Sequence, residues 1–167
     1  MSTATLWKDP ESLVPPQVFA AVVATVRDNN PEMDEPLVRR IVREALKFVA
    51  TCGRFRDRGM APSRVVDEGW HALILHTKAY EELCAQLDGP VHHYPERPDP
   101  TRYNGSVVIF TTSMMQEAGY LPDYRLWGDP RSGEIVVAAS CTHSPPDCQV
   151  SCMNKPGGSQ AVTGAGT

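Results

Sequence analysis

Absences bound the chemistry of this chain before any motif does. Lys and Arg number 16 against 20 Asp and Glu, for a net charge of −4, and no clustered basic face is available to bind phosphates, so nucleic acid is excluded as a partner. The nearest basic stretch, Arg39, Arg40, Arg43 and Lys47, reads as the wet side of an amphipathic helix. No apolar run approaches the ~18 residues of a membrane span. The start, MSTATLWKDPESL, lacks a basic segment followed by an apolar block, so the protein is expected in the cytoplasm. There the five cysteines stay reduced, and a disulfide framework is the wrong default. There is no internal repeat. A hydrophobic content of 41% over 167 residues is slightly low for one compact unit, which predicts a single domain plus some unfolded chain.

What is present is mostly helical pattern. Pro15-Pro16 opens a segment with Val18, Val22, Val23 and Val26 at helical spacing, closed by Asn29-Asn30-Pro31. Asp34 can cap a second helix, with Pro36 in its first turn and Leu37, Ile41, Val42, Ala45, Leu46, Val49 and Cys52 as its apolar stripe. Ser63 can cap a third, whose stripe Val66, Trp70, Leu73, Thr77, Tyr80, Cys84, Leu87 runs to the break at Gly89-Pro90. That helix either continues unbroken or bends at Thr77, which could cap a new helix from Lys78. A last helix is predicted from Ser106 through Ala118, stopped by Gly119, with a strand as the open alternative for its β-branched start. Beyond Gly128 the chain is rich in Gly, Pro and Ser, predicting disorder except for a short strand at Glu134–Ala138. The expected architecture is all-α: one bundle of four or five helices over residues 15–127, an N-terminal arm over 1–14, and a flexible Cys- and His-containing tail over 128–167.

Chemistry concentrates between Val66 and Pro95, which hold four of the five histidines. Asp67 and His71 are four apart, on one helix face, so a carboxylate and an imidazole can grip one metal ion or each other. His92 and His93 join them only if the chain doubles back; on an unbroken helix they would lie roughly 30 Å from His71. Two imidazoles and a carboxylate with open positions suit zinc, iron and other divalent ions. Adjacent histidines seldom aim at one point, so one of the pair would ligate while the other orients a ligand or faces solvent. His76 lies on the opposite side of a straight helix from Asp67. Glu68 is about 100° from Asp67 and ordinarily solvated, and Gly69 marks a close approach by another segment. Cys52 and Cys84 read as small core residues. A second candidate metal site is Cys141-x-His143-x4-Cys148-x3-Cys152, three thiols and an imidazole able to close a tetrahedral zinc site, although paired C-x-x-C knuckles are absent.

The order VDEGWH, ILHT, Tyr80, Cys84, Gly89 and HHYP resembles the glycine-rich domain-containing protein-like family in its short bacterial form, over residues 35–127. The resemblance implies a mostly helical domain of undefined activity, with Asp67, Trp70, His71, Tyr80, Cys84, His92 and His93 as motif positions. It also implies a Cys- and His-containing end, as in short bacterial relatives.

The functional expectation is a helical protein holding a divalent metal, zinc or iron, through Asp67, His71 and His92 or His93. Any turnover would use water or dioxygen at an open coordination position, with Glu68 or Tyr80 nearest for proton transfer. Two rival classes stay open. In one, the Asp67–His71 pair is structural and the protein is a non-catalytic interaction module, recruiting a protein partner through the tail or pairing as a homodimer. In the other, a helical leader precedes a modifiable Ser/Thr/Cys-rich segment such as SCTHSPPDCQVSC.

Overall fold

The computed structural model describes residues 6–87, 89–94, 105–128 and 135–137. They form five α-helices: α1 (Pro16–Asn29), α2 (Glu35–Arg54), α3 (Arg64–Leu75), α4 (Thr77–Gln86) and α5 (Gly105–Ala118), with 3-10 turns at Pro10–Leu13 and Tyr124–Leu126. The all-α expectation holds, and the β-branched start of the last helix is helical. Among the described residues no strand forms.

Local chemistry sets the ends. Asp34 accepts the Leu37 amide at 2.9 Å and Ser63 accepts the Val66 amide at 3.1 Å, each satisfying a donor that the first helical turn leaves unpaired. Gly119, at φ +96°, closes α5, with the Tyr120 amide returning to the Met115 carbonyl at 2.9 Å, a left-handed cap that favours glycine.

The long helix α2 is the axis of the bundle: α1, α3, α5 and the N-terminal 3-10 turn all pack on it, and α4 leans on α3. Ile41, Leu46, Phe48, Trp70, Leu73 and Met115 are among the fully buried side chains at their interfaces. Packing on several sides of α2 corrects the reading of its basic stretch as a wet face at Lys47, while Arg39, Arg40 and Arg43 stay partly exposed. Lys47 is buried and donates to Glu44, also buried, and to the Leu121 carbonyl at 2.7 Å. The Trp127 indole donates to the other Glu44 oxygen at 2.7 Å. Arg40 and Arg43 are half-buried and paired with Asp123 and Glu11, both at 2.6 Å.

The predicted strand at Glu134–Ala138 does not appear in its described part, 135–137. Val137 is buried and Ile135 packs on the core while Val136 is exposed, so the alternation is real, but a strand needs a partner edge and a helical bundle offers none. Apart from Gly128, the other residues assigned to the tail lie outside the described ones. None of the described helices is long and apolar enough to cross a membrane.

Candidate metal centre

Helix α3 carries two of the three central side chains and is held unusually close to α2. At Gly69 a Cβ would come within 2.9 Å of the Ile41 carbonyl and 3.0 Å of the Ala45 Cβ, so the close approach expected from this glycine is present. Next to it, Trp70 is fully buried edge-on to Phe48, ring centroids 5.1 Å apart. This packing fixes the turn of helix that bears Asp67 and His71.

The chain then bends. His76, at φ −84° and ψ 62°, leaves helical geometry and ends α3. Thr77 is the first residue of α4 rather than its cap, so the break falls one residue before the position read from sequence. The bend and the turn after α4 bring the 91–94 segment back against α3. His93 is set edge-on to both Trp70 and His71, with centroids 4.6 and 4.5 Å away.

Asp67, His71 and His93 thereby converge, their ligating atoms all within 4.8 Å of one another. His93 Nε2 lies 3.0 Å from Asp67 Oδ1, His71 Nε2 lies 3.3 Å from Asp67 Oδ2, and the two Nε2 atoms are 2.9 Å apart. Asp67 is fully buried, whereas the His71 side chain is 30% exposed, so the triangle has one side toward solvent. Each imidazole carries at most one proton on Nε2. At most two of the three edges can therefore be hydrogen bonds between these groups, and the Nε2–Nε2 edge competes with those to the carboxylate. A cation between the three donors satisfies all three at once. The 2.9 Å between the imidazole nitrogens is close to the about 3.0 Å that separates adjacent ligands at bonds of about 2.1 Å in octahedral coordination, and the two imidazoles face different oxygens of the Asp67 carboxylate.

The remaining candidates lie elsewhere. His92 is exposed, edge-on to Tyr94 with centroids 6.1 Å apart, and is outside the converging group. It lines an open apolar hollow of about 540 Å3 along α4, together with Ile74, Cys84 and Val91. His76 faces α1, its Nε2 2.9 Å from the Thr25 hydroxyl. Glu68, read as solvated, is instead buried and accepts a 2.8 Å bond from the Asn30 amide at the end of α1. The Tyr80 hydroxyl is engaged away from the three converging groups, between the Trp70 indole and the Val91 carbonyl. Burial pushes the phenol far above the ordinary range, outweighing the opposing hydrogen bond from Trp70, and the hydroxyl donates to the Val91 carbonyl at 2.5 Å. Cys52 and Cys84 are buried thiols, as expected of core residues, and burial raises the Cys52 pKa. Cys141, His143, Cys148 and Cys152 lie outside the described residues.

Two contributors escaped sequence reasoning. Asn30 appeared only as a helix terminator. Arg56, which donates to the Leu87, Gly89 and Pro90 carbonyls ahead of His93, sits in a turn-like stretch with nothing to distinguish it, because backbone carbonyls carry no sequence signature.

No curated protein and no solved structure matches the chain. A family model does match, over residues 14–101, and its description, UCP032817-like, states no activity. It overturns the resemblance to the glycine-rich domain-containing protein-like family: shared motif order around two histidine clusters is too little sequence to fix a family, whereas the model spans more than half of the chain, and the chain belongs to the UCP032817-like family.

Proposed function

We propose that the protein binds a divalent metal ion through Asp67, His71 and His93. The observation that carries this reading is the convergence of two imidazoles on one buried carboxylate: the Nε2 atoms are 2.9 Å apart, His93 Nε2 is 3.0 Å from Asp67 Oδ1 and His71 Nε2 is 3.3 Å from Asp67 Oδ2, and two Nε2 protons at most cannot make hydrogen bonds of all three contacts. Two imidazoles and one carboxylate are a donor set that iron and zinc accept. Three protein donors leave coordination positions for small ligands, and a bound ion would supply Lewis acidity there. Asp67 supplies a buried negative charge that offsets part of the ion's charge, while the partial exposure of His71 gives the ion a route in.

The test is elemental analysis and Co2+ titration of the full chain, purified without a histidine tag, beside His71→Ala and a variant with Cys141, Cys148 and Cys152 changed to Ser. Stoichiometric metal is expected in the parent and the Cys variant, with loss in His71→Ala. Loss in the Cys variant alone would move the site to the thiols. A parent that neither carries metal nor takes up Co2+ would leave Asp67 as a structural partner of the histidines and overturn the proposal.

A further inference from the structure

The three donors are not held alike. Asp67 and His71 are one turn apart on α3 and are fixed by its packing on α2. His93 comes from a segment outside any helix, and its position depends on what holds the backbone leading to it.

That backbone is gripped at successive carbonyls. Arg56, just beyond α2, donates to the Leu87 carbonyl at 2.5 Å, to Gly89 at 2.8 Å and to Pro90 at 3.1 Å. The Tyr80 hydroxyl takes the next carbonyl, that of Val91. Tyr80 is itself held by the Trp70 indole, which donates to its oxygen at 3.0 Å, and the Trp70 ring lies against His93. One guanidinium and one phenol thus bind four carbonyls within the seven residues before His93. The planar fork of arginine can serve several acceptors at once, and a phenol kept neutral by burial is a fixed donor. Hydrogen bonds that orient a ligand are worth about 10- to 100-fold in metal affinity.

Resting on the metal reading above, we infer that Arg56 and Tyr80 are positioning residues that deliver His93 to the Asp67–His71 pair. Tyr80→Phe keeps the ring in the core and removes only the hydroxyl; Arg56→Lys keeps the charge and removes the fork. In Co2+ titrations of the full chain, followed by visible absorption, each should weaken binding about 10- to 100-fold. Neither should weaken it further in a His93→Ala background. Equal weakening with and without His93, or unchanged binding in Tyr80→Phe, would overturn the positioning role. An independent readout needs no metal: the imidazole NMR resonances of His93 should shift or broaden in Tyr80→Phe while those of His76, held by α1, stay put. Unmoved His93 resonances would overturn the inference. A parent that takes up no Co2+ but shows the His93 shift would sink the metal reading and leave the clamp standing.

Discussion

At the scale of single residues, Gly69 shows how two effects of opposite sign are decided by distance. Alanine there would gain about 1 kcal/mol of helix propensity. Its Cβ would also sit 2.9 Å from the Ile41 carbonyl, a backbone atom that moves only if α2 moves, and overpacking of that kind costs about 1–3 kcal/mol. The clash should win. Gly69→Ala is expected to lower stability by up to about 2 kcal/mol in urea denaturation, and a gain in stability would show that α3 and α2 can separate cheaply. The glycine's role was legible because a costly residue in a helix needs a reason. Glu68 and Lys47 were not legible, since a charged side chain in a helical pattern is solvated unless something distant covers it. Their covers, Asn30 and the Leu121 carbonyl, are remote in sequence. The choice between His92 and His93 was equally out of reach, because it depends on the course of an irregular segment.

At the scale of elements, the 120–127 segment shows how a stretch with only one 3-10 turn becomes part of a helical bundle. It is tied to one side of α2 by Arg40 to Asp123, Lys47 to the Leu121 carbonyl, and Glu44 to Trp127. Burial pushes the Asp123 carboxyl up, but the hydrogen bond and charge of Arg40 outweigh it and hold the group below the usual carboxylate range. A carboxylate whose folded pKa is depressed adds stability that is present above its unfolded value of about 3.9 and disappears as pH falls through the folded value. Both partners are partly exposed, so the contribution is small. Asp123→Asn should cost about 0.5–1 kcal/mol at neutral pH and match the parent in acid below the folded pKa, as read by denaturation midpoints across pH. A loss of the same size at every pH would assign the effect to packing instead. The helices themselves were readable from caps and periodicity, Asp34 and Ser63 above all, because these are local signals. The bend after α3 was readable only to within a residue, since Thr77 offers a plausible cap while the backbone departs at His76. The 135–137 alternation misled because period two reports burial on one side, and a packed segment without assigned secondary structure satisfies that without a sheet.

At the scale of the whole molecule, the proposed metal centre would join two separate parts of the chain. Asp67 and His71 belong to the helical core, and His93 to the segment that follows α4, so an ion bound by all three binds the folded state and not the unfolded chain. Mass action then ties its affinity to global stability: free metal at a hundred times its dissociation constant adds about 2.7 kcal/mol, which for a domain of this size raises the melting temperature by roughly 5–15 °C. The expected result is a Zn2+- or Co2+-dependent rise in melting temperature that a chelator reverses and that His71→Ala abolishes. Histidine ligands must be deprotonated to bind, so the rise should shrink as pH is lowered and vanish in acid. His71→Ala also takes one imidazole from beside the buried Asp67 carboxylate, so its metal-free melting temperature should fall, and the ion's part is read as the difference between melting with and without metal in each variant. That separates loss of the ion from loss of the fold. A metal-induced rise that persists in His71→Ala would place the stabilising ion elsewhere on the chain, and the convergence of Asp67, His71 and His93 would then be a means of burying one carboxylate between two imidazoles.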